Sequence, residues 1–169
     1  MNEVLKTIEE RRSIRAYEPA PIPEADLKAI MDAALQAPTA RNLQPWHFSV
    51  ITDRALIDEF DNALNPERSV TYKAPALVII TVPAEHGFFA KVDCGIAVQN
   101  IALAAWSMGY GSVILGMPRV VFEGDRREEF MQKFQIPADH EFIIGIALGK
   151  AAATKEAHEM NPDKISWIR

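Results

Sequence analysis

The sequence has almost no cysteine: Cys94 is the one such residue in a chain of 169. A single cysteine cannot build an internal disulfide framework, which favours a reducing compartment. The chain also has no excess of basic residues, and its formal net charge is −5 at pH 7. Proteins that bind nucleic acids neutralise phosphates with clustered Lys and Arg, so the composition disfavours a nucleic-acid partner.

Membrane and export signals are also lacking. No apolar run approaches the roughly 20 residues that are needed to span a bilayer. The first ten residues, MNEVLKTIEE, are polar and helix-patterned, without the apolar core of a signal peptide. These features predict an unprocessed cytoplasmic protein.

The motifs of common catalytic centres are absent as well. The sequence has no G-x-S-x-G and no Walker loop. Cys94 lies in an apolar segment and is more typical of a small buried side chain than of a nucleophile. No metal site is predicted, because none of the histidines has metal-ligand spacing: His47, His86, His140 and His158. A chain without such groups fits an enzyme whose chemistry takes place on a bound cofactor.

What is present is the pattern of one globular domain, residues 1–169, with 49% hydrophobic and 24% charged residues. Apolar spacing predicts helices after the caps Asn2 and Asp53, over 24–37, over 93–109 and around Phe130. Strands are predicted at 46–52, 76–82, 111–115 and 141–149. Helices and strands interleave without a strict βαβ rhythm, which predicts a layered α/β fold with mixed strand directions. The helix over 93–109 is apolar nearly all round and must be buried in the core or against a partner.

Three segments carry candidate binding residues. Arg11, Arg12, Ser13 and Arg15 form a compact anion site or, alternatively, complement the end of a helix. The loop Pro38–Trp46 offers amide and backbone groups that could read a planar heterocycle, or it simply connects a helix to a strand. The third segment, 109–116, contains G-x-G, but it follows a helix and enters a strand. That order is the reverse of a dinucleotide-binding motif, so no Rossmann cofactor site is predicted.

Taken in order, these segments resemble the nitroreductase family. RRSIRAYEPAPIP is similar to the family's R-R-S-x-R opening, and APTARNLQPWHF is similar to its A-P-[ST]-x-x-N-x-Q-P-W loop. VDCGIAVQNIALAAWSMGYGS resembles the family's helix D-x-[AG]-x-A-x-Q-N-x-x-L-A-A with its following Gly-x-Gly. YKAPALVII and IIGIALGK match its two central strands, so the likeness covers roughly residues 4–150.

This resemblance implies a three-layer fold, with a mixed central sheet flanked by helices, that forms an intertwined homodimer with FMN at the subunit interface. One protomer would hold the flavin's phosphate and pyrimidine edge, while its partner would contribute a loop. The residues implied on the first side are Arg11, Ser13 and Arg15, supported by Arg12, with Ile114, Leu115 and Gly116 near the reactive N5 edge. The residues implied on the partner's loop are Pro38, Thr39, Ala40 and Asn42, with Gln44 shaping it.

Two departures from the family pattern stand out. Many members place Lys or Arg pairs after the last strand to bind phosphate, whereas here Lys150, Lys155 and Lys164 are the candidates. Longer members insert helices over the active site, but only residues 83–92 precede the helix here. We therefore expect an open pocket, lined by Phe88 and Phe89 unless these two pack under a turn.

The implied activity is reduction of nitroaromatics, quinones or flavins by NAD(P)H, in a ping-pong hydride transfer through FMN. No protein residue is then expected to be catalytic, because the chemistry occurs at flavin N5. Two alternatives stay open: a related enzyme that dehalogenates substrates or fragments flavin, and a non-catalytic flavin-binding protein.

Overall fold

The computed structural model describes residues 1–85 and 87–169, and the predicted non-ligand His86 lies outside the described residues. Four strands are seen in this part of the chain: β1 (His47–Ile51), β2 (Ala76–Pro83), β3 (Gly111–Leu115) and β4 (His140–Gly149). The α-helices seen there are α1 (Glu3–Glu10), α2 (Glu24–Leu35), α3 (Arg54–Leu64), α4 (Phe88–Ser107), α5 (Arg119–Phe122) and α6 (Arg127–Lys133). Short 3₁₀ turns occur at Ala40–Asn42 and Pro162–Lys164.

The strands form one sheet in the order β1-β2-β4-β3, and each neighbouring pair is antiparallel. The predicted layered fold with helices around a central sheet is confirmed. Its strand directions differ from the expected mixture, since β2 and β3, which run in the same direction, are separated in the sheet by the antiparallel β4. Parallel pairing in the described residues is limited to an isolated bridge between Ser13 and Ser112.

Alternation along β2 explains the three layers. Leu77 and Ile79 point to one face of the sheet, where they join a core formed with α3, α5 and α6. Val78 and Ile80 point to the other face and pack with α2 and α4. Phe60 is the fully buried aromatic centre of the first core, and its ring lies 4.9 Å from two phenylalanine rings of that core, Phe130 and Phe134.

The sequence-predicted caps are confirmed, since Asn2 and Asp53 accept hydrogen bonds from Leu5 and Leu56. Burial along β1 does not follow the alternation of large apolar and polar residues in its sequence, since Ser49 is buried and Val50 is 42% exposed.

Helix α4 spans 20 residues and begins five residues earlier than predicted. Contrary to the expectation from the sequence, this helix is long and apolar enough to cross a membrane by length and composition alone. Buried core helices pass the same test. Cys94, Ala97 and Ile101 are fully buried against the sheet and α2, as expected of a core helix. Its opposite face, including Val92 and Ile96, is exposed in the protomer.

The loop after α3 is tied to that helix by a buried carboxylate. Oδ1 of Asp61 accepts hydrogen bonds from the backbone N–H groups of Val70 and Thr71, at 2.7 and 2.8 Å. Bonds of this charge-assisted kind are among the stronger hydrogen bonds in proteins. The loop needs such an anchor, because Tyr72 and Lys73 adopt left-handed backbone angles that non-glycine residues rarely take (φ 56° and 54°).

Replacing this anchor should destabilise the fold. We expect Asp61→Ala to lower the free energy of unfolding by about 2–3 kcal/mol, since two buried N–H groups lose their acceptor. The control is Asp58→Ala, which removes an exposed ion pair with Arg54 on the same helix and should cost about 0.5 kcal/mol or less. Urea unfolding at one protein concentration measures both, and equal losses would contradict the anchoring role.

Candidate functional site

The segment 11–15 leaves α1 and runs beside the start of β3. Ser13 bridges to Ser112, and the N–H of Ile14 donates to the carbonyl of Ser112 at 2.9 Å. Gly111 makes this close approach possible, because a Cβ added there would lie 2.9 Å from Cβ of Ile14. The local sequence therefore holds the three arginines at one edge of the sheet.

The arginines of this segment have different partners. Nη1 of Arg12 donates to the carbonyls of Glu9 and Arg11, at 2.6 and 3.0 Å, so this side chain complements the end of α1. The guanidinium of Arg15 lies 5.9 Å from the centre of the Tyr72 ring. In the part of the chain that the structure describes, none of the three arginines forms a salt bridge. Their positive charge is therefore available to an anion.

The C-terminal tail adds further basic groups to this edge. Residues from both segments line a cavity of about 320 Å³: Arg11, Arg12, Ser13, Lys155, Glu156, Ala157 and His158. Lys150 is not among these lining residues, because it pairs with Glu18 at 3.1 Å. Of the three lysines considered from the sequence, the structure brings Lys155 to the arginines.

Further along β3, the residues predicted to contact the flavin lie on different faces of the strand. Ile114 and Gly116 are exposed, and a Cβ added at Gly116 would meet nothing within 4 Å. Leu115 is buried in the core on the α3 side, so contact with a ligand would come from its backbone. The open surface over Gly116 leaves room for a flat ring.

The loop before β1 has an unusual backbone. Arg41, Asn42 and Gln44 all take left-handed φ angles, of 56°, 56° and 47°. The N–H of Gln44 donates to Oγ1 of Thr39 at 3.1 Å, and its side-chain amide donates to Oδ1 of Asn42 at 3.0 Å. Of the other predicted residues of this loop, Pro38 is exposed and Ala40 is half-buried.

Within one protomer the two predicted halves of the site are far apart. Ser112 of β3 pairs through β4 with Ala76 at the start of β2, while His47 of β1 pairs with Thr81 near its end. β1 and β3 are the two outer strands of the sheet, roughly 14 Å apart across three strand spacings. The run of β2 from Ala76 to Thr81 adds roughly 16 Å along the strand. The arginine segment and the loop before β1 therefore occupy opposite corners of the sheet.

Two of the four histidines lie close together although they are far apart along the chain. The rings of His47 and His140 meet edge to face, with centroids 5.8 Å apart. Oγ1 of the buried Thr81 lies 3.0 Å from Nδ1 of His140. Among the described residues, no three His, Cys, Asp or Glu side chains are grouped to hold a metal ion.

Sequence patterns did not point to Tyr72 or Asp93 as part of these surroundings. Tyr72 has a left-handed backbone and its ring lies beside Arg15, and neither feature is predicted by a residue pattern. The carboxylate of Asp93 accepts the N–H of Ala40 from across the fold. Phe88 and Phe89 begin α4 and are 73% and 66% exposed, so they do not pack under a turn in the protomer.

Comparison with known proteins identifies the class to which this fold belongs. A sequence profile described as the Nitroreductase family matches residues 8–68 and 62–150. The chain is 35% identical to an Archaeoglobus fulgidus protein provisionally named NADH dehydrogenase/NAD(P)H nitroreductase, over 98% of this chain and 97% of the relative. An NADPH-flavin oxidoreductase of Vibrio harveyi is 27% identical over 98% of this chain and 72% of its own length.

Solved structures agree with the sequence relatives. A nitroreductase with bound FMN from Desulfitobacterium hafniense matches with a TM-score of 0.94 at 32% identity, over the full length of both chains. A second nitroreductase with bound FMN, from Bacteroides fragilis, matches with a TM-score of 0.93 at 26% identity, again over both full lengths. The chain belongs to the nitroreductase family, as its motifs predict.

The thiol of Cys94 should be inert in the native protein. Burial, followed by the nearby charge of Asp93, raises the pKa of Cys94 to about 12. We expect a thiol-reactive chromogenic disulfide at pH 8 to label no cysteine in the folded protein and one per chain in denaturant. Rapid stoichiometric labelling of the folded protein would show a reactive thiol and reopen cysteine chemistry.

Proposed function

We propose that the protein is an FMN-dependent oxidoreductase that uses NAD(P)H to reduce electrophilic small molecules such as nitroaromatics, quinones or flavins. Its family membership and the FMN-bound relatives support this assignment. The observation that carries the proposal is the unpaired cluster of basic side chains beside the open surface of β3. A flavin mononucleotide has the matching pair of features, an anionic phosphate and a flat ring.

The basic cavity fits the phosphate end. Arg11, Ser13 and Lys155 supply two cations and a hydroxyl, while His158 adds a ring nitrogen at the same cavity. Arg12, already bonded to the end of α1, would act by its charge and by fixing the segment. Charge-assisted hydrogen bonds of this kind are strong enough to retain a phosphate. Lys150 would contribute to phosphate binding only through long-range electrostatic attraction, because it is paired with Glu18.

The ring end fits the surface that follows along β3. The residues of this surface would hold the flavin ring, and FMN would supply the hydride-transfer chemistry between NAD(P)H and the acceptor. Arg15 would stabilise negative charge on the pyrimidine edge, with its guanidinium held over Tyr72. Ile114, Leu115 and Gly116 would border the reactive edge, and the exposed Gly116 lets two flat molecules approach.

We further propose that the site is completed in a homodimer, by Pro38, Thr39, Ala40, Asn42 and Gln44 of the partner's loop. The separation of this loop from the arginine segment in one protomer supports a second chain. Uncovered apolar surface gives the dimer a driving force. Val4, Leu5 and Ile8 of α1 are more than half exposed, as are Trp167 and Ile168 of the tail. Surfaces of this kind mark subunit contacts.

The chain would act as one domain in the cytoplasm, where a soluble nicotinamide nucleotide supplies electrons and the lone cysteine stays reduced.

An anaerobic absorbance spectrum tests the proposed function. Purified protein, reconstituted with FMN if needed, should show a flavin band near roughly 450 nm that bleaches when NADH or NADPH is added. Adding a quinone or a nitroaromatic should restore the band. A bound flavin that neither nucleotide bleaches would favour a flavin-binding protein without this activity. Loss of flavin itself during aerobic turnover would favour flavin fragmentation.

Lys155 should bind the phosphate and Lys150 should not. We expect Lys155→Ala to weaken FMN binding about tenfold, because one charge-assisted contact is lost, while riboflavin affinity stays unchanged. Lys150→Ala is the matched control, since it removes the same charge from the nearby chain and should change neither affinity. Fluorescence titration of the apoprotein with both flavins measures this, and a larger effect of Lys150→Ala would reassign the contact.

A further inference from the structure

Asp93 is a buried carboxylate on α4 that reaches the loop before β1. Asp93 is 4% exposed, and its two carboxylate oxygens lie 3.1 and 3.3 Å from the backbone nitrogen of Ala40. The N–H of Ala40 is thus shared between both oxygens. Because a buried carboxylate is costly unless it accepts hydrogen bonds, this contact constrains both partners.

The loop that Asp93 holds would be strained on its own. Arg41, Asn42 and Gln44 take left-handed angles, each of which costs a non-glycine residue about 1 kcal/mol or more. Such conformations persist only where the surroundings fix them. The remaining hydrogen bonds of the loop are internal to it: Asn42 donates to Thr39, Leu43 donates to Ala40, and Gln44 donates to both Thr39 and Asn42.

Across the described residues, Asp93 supplies the one hydrogen bond that joins this loop to another element of the fold. The bond falls on Ala40, the first residue of the 3₁₀ turn, directly before the two consecutive left-handed residues. Fixing that N–H sets the direction in which the turn leaves Thr39. The orientation of the Asn42 side chain and of the exposed backbone then follows.

We propose that Asp93 is a positioning residue for the flavin: it holds the loop before β1 in the left-handed conformation that contacts the ring. This inference rests on the proposed function, which assigns the loop to the cofactor. It predicts an effect on the flavin ring rather than on the phosphate, because the phosphate end lies at the opposite corner of the sheet. Asp93 would touch no reacting atom and would act through Ala40.

Two substitutions separate positioning from simple stability. Asp93→Asn keeps an oxygen acceptor for the N–H of Ala40, whereas Asp93→Leu removes it at similar size. We expect Asp93→Leu to weaken riboflavin and FMN equally, by about tenfold, because one strong hydrogen bond fixes the loop. Asp93→Asn should restore most of that affinity. An equal loss in both variants, or a loss for FMN alone, would overturn the positioning role.

The control for general destabilisation is Thr81→Val, which removes the buried contact with His140 and keeps the shape of the side chain. Its thermal midpoint should fall by a similar amount to that of Asp93→Leu, without a change in riboflavin affinity. If Thr81→Val lowered flavin affinity as much as Asp93→Leu did, Asp93 would be merely structural. The midpoint potential of the bound flavin gives a second readout and should shift in Asp93→Leu alone.

Hydrogen exchange of the flavin-free protein tests the same anchor without the cofactor. Residues 38–45 should lose protection in Asp93→Leu and keep it in Asp93→Asn and Thr81→Val. Unchanged protection in Asp93→Leu would overturn the inference whatever the flavin results. A different outcome is that residues 38–45 lose protection in Asp93→Leu but the unsubstituted protein binds no flavin. That result would refute the proposed function and the role of Asp93 toward a flavin, while the contact between Asp93 and the loop would be confirmed.

Discussion

The antiparallel pairing of β2 with β4 fixes the layout of the whole candidate site. These two buried strands form the middle of the sheet, so β1 and β3 become its outer strands and face opposite sides of the molecule. The segment 11–15 lies against β3, and the loop before β1 lies at the other corner. No local adjustment could bring the two together, because the packed strands between them cannot compress. This separation is the basis for the proposal that a second chain completes the site, and apolar residues of α1 and α4 are exposed in the protomer.

Two buried aspartates each hold a loop with an unfavourable backbone conformation. Asp61 and Asp93 both project from helices and accept backbone N–H groups from loops that contain consecutive left-handed residues. Each carboxylate offsets the cost of an unfavourable backbone with charge-assisted bonds in a region shielded from water. The loops near the site consequently have defined shapes without glycine. Rigid loops of this kind suit a binding surface, since less conformational entropy is lost when a ligand binds.

Much of the fold could be predicted because it depends on periodic burial. The apolar run of β2, the amphipathic α2 and the largely apolar α4 are visible as patterns, and their types were predicted correctly. The short α5 was missed, since four residues give too little pattern. β1 was predicted as a strand, but its sequence does not show that the polar Ser49 is buried while the apolar Val50 is exposed, because burial depends on which elements pack against each face.

The candidate site is less predictable, since it depends on contacts between distant segments. The motif around Arg11 indicates an anion site, but nothing in the order of residues shows that Lys155 reaches it while Lys150 turns to Glu18. The role of Asp93 was hidden for the same reason: 53 residues separate it from Ala40. Left-handed angles at Tyr72 and Arg41 arise from tertiary anchoring, which overrides the preference of the residues themselves.

In the proposed chemistry, the residues assigned to the site contribute charge and shape. Two weakly acidic groups near the sheet stay neutral: burial raises the pKa of Cys94 to about 12 and also raises the pKa of Tyr17, whose hydroxyl donates to the carbonyl of Ile14. Neither group can serve as a nucleophile or base near neutral pH. What stays charged and accessible is the guanidinium of Arg15 and the basic cavity beside it. A fold arranged in this way can hold an anionic, redox-active ligand, and it leaves the reactive step to that ligand.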